Sequence, residues 1–281
     1  MIIVHWGVIP EGNRTRLMTC SILFFFVYRI PTSANLSPSF PKRRKVMRVV
    51  AIIPAAGEGR RMGRAVEKQF LHLHGIPVLA HTLGVFDKSP EVDDVVLVVA
   101  AQQRQALKES VLGPYPCRKL FGVVDGGSER QDSVASGLDA VPGDSELVVV
   151  HDGVRPLVSV DLLGAVLKAA NEHGAALAAI PAGDTVKRAR GEVVVETLER
   201  ETIWLAQTPQ AFQASLLRSA YEKAFRDKIM VTDDAALVES LGVSVHLVPG
   251  SPENIKVTTP TDLVVAEAIL AKREQEAEGR N

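Results

Sequence analysis

From Arg48 onward, short apolar runs alternate with stretches whose apolar residues recur every three to four positions. The runs at 49–54, 95–99, 120–124, 147–151, 175–181 and 243–248 have strand length and are rich in β-branched residues. Helical spacing covers 78–87, 102–112, 130–140, 160–173, 213–225, 233–241 and 261–271. Strands that are apolar throughout, separated by helices, predict a mostly parallel sheet covered on both faces. Right-handed crossovers then give an α/β three-layer sandwich of Rossmann-like type. One segment breaks the rhythm. Residues 184–197 read as two short strands about a turn at Arg190-Gly191, a hairpin arm spanning about 184–199. It carries too few apolar residues to make a core, so it needs a surface to pack on: a second copy of the chain, or an edge of the same molecule.

Composition adds that the chain is an ordinary globular protein: 281 residues, 46% hydrophobic, formal net charge −1. That near-neutral total hides a split. Residues 1–46 hold seven basic side chains (Arg14, Arg16, Arg29, Lys42, Arg43, Arg44, Lys45) and one acid, Glu11. Taking these from the totals of 32 basic and 33 acidic residues leaves 25 and 32 in 47–281, a net of −7. The two cysteines, Cys20 and Cys117, have neither CxxC spacing nor the density of a disulfide scaffold, which points to a reducing, cytoplasmic setting.

The first 46 residues lack sustained periodicity. Their apolar stretch at 21–28 is far shorter than the roughly 20 residues of a membrane helix, so no membrane association is expected. A signal-peptide reading finds charge and an apolar core but no small-x-small cleavage site. The expectation is a disordered or non-native extension, with Met47 opening the folded body of 47–281. Nucleic-acid binding is not expected either, because the dense basic run 42–45 lies in that extension without interleaved aromatics.

The chemistry begins after the first strand, in Pro54-Ala-Ala-Gly57-Glu-Gly59-Arg60-Arg61-Met-Gly63. Glycines at the carboxyl edge of a sheet let backbone N–H groups approach phosphate oxygens. The P-loop pattern GxxxxGK[ST] is missing. A dinucleotide reading wants an acid at the end of the second strand, where Val99-Ala-Ala-Gln-Gln103 has none. Two arginines in the loop, with Lys68 following, suit a triphosphate whose α-phosphate and leaving pyrophosphate gather charge.

These residues form part of an ordered set. Residues 54–62 with Lys68-Gln69, Asp125-Gly-Gly-Ser-Glu-Arg-Gln-Asp-Ser133, Val150-His-Asp-Gly-Val-Arg-Pro156, Thr208-Pro-Gln210, Thr232-Asp233 and Asn254-Ile-Lys-Val-Thr258 together resemble the 2-C-methyl-D-erythritol 4-phosphate cytidylyltransferase family. The resemblance implies transfer of CMP from CTP to 2-C-methyl-D-erythritol 4-phosphate in the non-mevalonate isoprenoid pathway, with Mg2+ or another divalent cation. It implies that Arg61 and Lys68 stabilise the transition state at the α-phosphate, and that Arg200 and Lys256 position the substrate phosphate. Ala55, Ala56, Gly57 and Gly59 correspond to nucleotide contacts, and Gly127 and Ser133 to cytosine-reading positions. Asp152 matches the position near ribose and metal, as a ligand either directly or through water. Arg155 faces the methylerythritol phosphate, Asp233 the sugar hydroxyls or cations, and Glu253 matches a position where the family often has Asp. On the same resemblance, Thr185 and Arg200 match residues that reach into a neighbouring subunit's site, which implies a homodimer through the hairpin arm.

The sequence departs from the family at Val66-Glu67, where a proline is frequent before the lysine. His151 reads as a packed strand-end residue, because a phosphate monoester is already ionised at neutral pH and needs no base. Two other readings stand beside this one. A ribitol-5-phosphate cytidylyltransferase shares the fold and the CTP side, and a nucleotide-binding module without turnover shares the fold alone.

Overall fold

The computed structural model describes residues 47–57 and 68–279, all within the unit Lys45–Asn281. The extension reading for 1–46 falls outside them. Along the chain, β1 (Val49–Pro54) is followed by a small hairpin, β2 (His72–Leu73) and β3 (Ile76–Pro77), then α1 (Val78–Lys88) and β4 (Asp94–Val99). A helical stretch tightens at Ala101–Gln103, is regular in α2 (Arg104–Leu107) and widens at Lys108–Leu112 before β5 (Leu120–Asp125). Next come α3 (Arg130–Asp139), β6 (Leu147–Val150), α4 (Val160–His173), β7 (Ala175–Pro181), and the arm strands β8 (Lys187–Arg190) and β9 (Val193–Thr197). The chain continues through β10 (Trp204–Gln213), α5 (Ala214–Asp227), α6 (Asp234–Glu239), β11 (His246–Pro249) and α7 (Pro260–Glu278).

Seven strands form one sheet in the order β11-β7-β10-β6-β1-β4-β5. All neighbours are parallel except β10, which runs antiparallel to β6 and β7. Strand periodicity divides the core. Val49, Ala51, Ile53, Val95, Leu97, Leu147 and Val149 face α1 and α4 on one side. Val50, Ile52, Val96, Val98, Val148 and Val150 face α3, α5 and α6 on the other. These side chains are essentially inaccessible to water, and each of the valines, leucines and isoleucines contributes roughly 1.5–3 kcal/mol of burial. α3 lies close because Gly137 has no side chain: a Cβ there would stand 2.5 Å from Cγ2 of Ile52. A third cluster, including Leu73, Val78, Leu157 and Val257, docks α7 through Ala266. Among the described residues no helix is long and apolar enough to cross a membrane.

The sandwich expected from periodicity is present, with four adjustments. The strand read at 243–248 pairs only as His246–Pro249. The helix read at 102–112 is irregular, and the last helix extends to Glu278. β10 is a central strand that the apolar pattern does not signal, since Thr208-Pro209-Gln210 inside it carries a proline that local pattern assigns to a turn or sheet edge. The structure accommodates it with a bulge: the β7 register shifts between Ala206 and Gln210, which takes Gln207, Thr208 and Pro209 out of the ladder.

Candidate active site

The loops after β1, β4, β5 and β6 converge at the carboxyl edge of the sheet, where the strand order reverses about β1. They surround a cleft of about 650 Å³, the size of a small-molecule site. Ala55–Gly57 and Asp125–Arg130 form two of its walls, and Lys68, Gln69, Gln102, Ser133, Asp152, Lys256 and Thr258 complete the polar lining. The two walls nearly touch. A Cβ on Gly126 would come within 2.4 Å of the Ala56 Cβ, and one on Gly127 within 2.3 Å of the Asp132 Cβ. Glycine is therefore required at both positions by close approach rather than by an unusual φ. Lys68 brings its ammonium alongside the β1 loop, 3.8 Å from where a Cβ on Gly57 would stand.

At the head of α3 the Asp132 carboxylate accepts from the Ser128 hydroxyl (2.8 Å) and the Glu129 N–H (3.1 Å), which fixes the entry to the helix. Ser128 thus donates within the turn instead of accepting as a helix cap. Ser133, nearly buried, donates its hydroxyl to the Glu129 carbonyl at 3.0 Å. Its oxygen retains acceptor capacity on the cleft side. Gln69 is fully buried on the wall, and its side-chain amide has no hydrogen-bond partner among the described residues.

Asp152 is the electrostatic centre. Lys256 Nζ lies 2.8 Å from its Oδ2, Arg155 Nε 3.5 Å from the same oxygen, and Arg130 Nε 3.2 Å from Oδ1. Burial opposes ionisation of this carboxyl, but Arg130, Lys256 and Arg155 together hold it well below the usual carboxylate range. Burial also works against the charge on Arg130. The carboxylates of Asp234 and Asp152 outweigh it and keep the guanidinium firmly protonated. Burial lowers the pKa of Arg155, whose Nη1 donates to the Asn254 carbonyl at 2.7 Å.

A second set of bonds holds the backbone on which Asp152 sits. The Asp152 N–H donates to the Thr208 hydroxyl (3.1 Å), and that hydroxyl stands 3.0 Å from His151 Nδ1. His151 Nε2 lies 3.1 Å from the Arg155 carbonyl, which can only accept, so Nε2 carries the proton and Nδ1 accepts from Thr208. Burial pushes the His151 pKa down to about 4, and its ring packs against Phe86. This neutral, enclosed imidazole fits the packed residue read from the sequence.

The structure thus gathers Ala55, Ala56, Gly57, Lys68, Gly127, Ser133, Asp152 and Lys256 around one cleft, with Arg155 directly behind Asp152. Gly59, Arg61 and Glu67 lie outside the described residues. Thr185 and Arg200 are exposed and away from the cleft lining; Arg200 Nη1 donates to the Gly183 carbonyl and Nη2 pairs with Glu201. Asp233 caps α6, accepting from the Ala236 N–H at 3.2 Å and from Gln210 Nε2 at 2.9 Å. Glu253 is drawn to α7 by Arg273 (2.8 Å) and Lys272 (3.6 Å). Sequence reasoning gave no role to Arg130, Thr208 or Asn254. A cation at the first position of a helix, against the dipole preference, was the signal available for Arg130.

The family model described as 2-C-methyl-D-erythritol 4-phosphate cytidylyltransferase matches residues 49–272. A relative of that name from Syntrophus aciditrophicus is 49% identical over 228 residues, 81% of this chain and 97% of its own length. Another from Geobacter metallireducens is 46% identical over 230 residues, 81% and 99% of the two chains. Among solved structures, 4-diphosphocytidyl-2C-methyl-D-erythritol synthase from Anaerococcus prevotii superposes with a TM-score of 0.71 at 34% identity, covering 80% of this chain and 96% of that one. The 2-C-methyl-D-erythritol 4-phosphate cytidylyltransferase from Thermus thermophilus gives 0.64 at 38% identity, covering 79% and 98%. With the match extending across the sheet and every wall of the cleft, the chain belongs to the 2-C-methyl-D-erythritol 4-phosphate cytidylyltransferase family.

Proposed function

We propose that the chain transfers the cytidylyl group of CTP to 2-C-methyl-D-erythritol 4-phosphate, giving 4-(cytidine 5′-diphospho)-2-C-methyl-D-erythritol and pyrophosphate in the cytoplasm. The observation that carries this reading is the family match over 49–272, which contains the whole described cleft. An oxygen of the polyol phosphate attacks the α-phosphorus of CTP. The bond from that phosphorus to the bridging oxygen breaks, and pyrophosphate leaves with the electron pair. The nucleophile needs no base, so catalysis rests on positioning and charge. Lys68 and Arg61 take the transition-state charge, and Lys256, Arg155 and a partner's Arg200 hold the polyol phosphate. Gly127 and Ser133 face the cytosine.

No cluster of three metal-ligating side chains forms among the described residues. Asp125, Glu129 and Asp152 place carboxylates along the cleft lining, and Asp152 is the one the family resemblance sets near the metal. That donor set fits magnesium, which keeps its waters and binds through one or two carboxylates and substrate phosphates. When bound, the ion neutralises phosphate charge.

The arm supports a homodimer. Val193, Val194 and Val195 are 70%, 56% and 61% exposed on β9, and an isolated two-stranded hairpin is marginal in water. A partner surface covers these valines and carries Thr185 and Arg200 toward the partner's cleft.

Pyrophosphate release is measured from CTP and magnesium with 2-C-methyl-D-erythritol 4-phosphate or ribitol 5-phosphate. Faster turnover of the methylerythritol substrate is expected. Faster ribitol turnover overturns the substrate assignment, and no turnover with either overturns the enzyme reading.

A further inference from the structure

Arg130 does more than balance the charge of Asp152. Its Nη2 lies 2.8 Å from Asp234 Oδ2, while its Nε holds Asp152 Oδ1 at 3.2 Å. One guanidinium therefore joins a carboxylate on the cleft wall to a second one on α6, which is 1% exposed and not part of that wall. Asp234 is itself held on every side. The Tyr221 hydroxyl donates to its Oδ1 at 2.6 Å, and its N–H donates to Gln210 Oε1 at 3.1 Å.

Two features argue that this chain of contacts serves the site. First, a buried ion pair is a poor source of stability compared with apolar residues of the same volume, so a buried Tyr-Asp-Arg series is weakly explained as structural support. Second, the load on Asp152 is divided. Lys256 and Arg155 both approach Oδ2, and among the described residues Arg130 supplies the cation at Oδ1. Without Arg130 the cations that remain on Asp152 among the described residues both lie at Oδ2, so Lys256 and Arg155 keep their contacts while Oδ1 loses its own. The planar fork of arginine holds two carboxylates in a fixed relative geometry, which the rotatable point charge of a lysine does not impose.

We propose that Arg130 is a positioning residue for the nucleotide side of the reaction, and that Asp234 and Tyr221 act through it as a brace fixing the rotation of Asp152. This rests on the reading of the cleft as the CTP site. Because Arg130 opens α3, next to the glycine loop and Ser133, loosening the brace disturbs CTP more than the polyol phosphate.

The test is a double-mutant cycle on the full chain. Tyr221→Phe, Arg130→Gln and the double variant are compared for magnesium-CTP affinity by calorimetry, for the KM of each substrate and for melting temperature. Tyr221→Phe is expected to weaken CTP binding about five- to twentyfold, a part of the roughly 10- to 150-fold that a lost hydrogen bond to a charged group is worth, because it acts at one remove from the site, with the polyol phosphate KM within about twofold. In the Arg130→Gln background the same change should have almost no further effect, since its route to the site is already cut. Arg130→Lys should not restore affinity. Unchanged CTP affinity in Tyr221→Phe, equal effects in both backgrounds, or equal loss for both substrates with lowered melting overturns the brace. Calorimetry reads CTP without turnover, so a wild-type chain that binds CTP but transfers nothing refutes the reaction while the brace is still decided. A wild-type chain that does not bind CTP refutes the brace together with the site assignment.

Discussion

Lys68 owes its position to its neighbours in the chain. It opens the short turn Lys68–Phe70, in which Gln69 is buried, and this carries the ammonium back beside Gly57. A cation beside a backbone cradle acts most strongly where charge grows, at the α-phosphate in the transition state. Lys68→Ala should therefore lower kcat by about 10²–10³-fold while CTP affinity falls by no more than about tenfold. Steady-state kinetics with parallel calorimetry checks it, and an affinity loss matching the kcat loss would assign Lys68 to ground-state binding. The lysine was legible because it comes after a glycine-rich loop and a buried strand. Arg130 was not, because its role depends on Asp152 and Asp234, which are 22 and 104 residues away and meet only in the folded chain.

At the scale of elements, strands buried on both faces announced themselves by continuous β-branched runs, and helices by their spacing. β10 escaped because its middle is polar: Gln207, Thr208 and Gln210 turn inward to satisfy Asn254, His151 and the head of α6. Such a strand is specified by hydrogen bonds across the molecule, which no local pattern reports. The arm is the reverse case. It was legible locally, with Gly191 at a φ of 59° in the turn, but the surface that would cover it is not written in those residues. Val193 and Val195 are both exposed on β9, so Val193→Glu with Val195→Glu places two charges where a second copy should pack. Light scattering should then report a fall from twice the 30.3 kDa chain mass to the single mass, with melting of the body lowered by no more than about 2–4 °C. An unchanged dimer would place the interface elsewhere.

At the scale of the whole molecule, the body formed by 47–281 carries a net charge of −7, yet its cleft receives two phosphorylated substrates. Far from the surface this charge repels them, and salt reduces that repulsion beyond about 8–10 Å. Inside the cleft, Lys68, Arg130 and Lys256 act at contact distance between low-dielectric walls, where screening by salt is much weaker. The two trends oppose each other, in contrast to a basic protein that steers polyanions from a distance and loses that advantage as salt rises. For magnesium-CTP, kcat/KM should accordingly change by less than about threefold between roughly 0.05 and 0.3 M ionic strength, at fixed free magnesium. A fall of about tenfold or more over that range would mean that substrate capture depends on a positive field reaching well beyond the cleft, against the charge of the body.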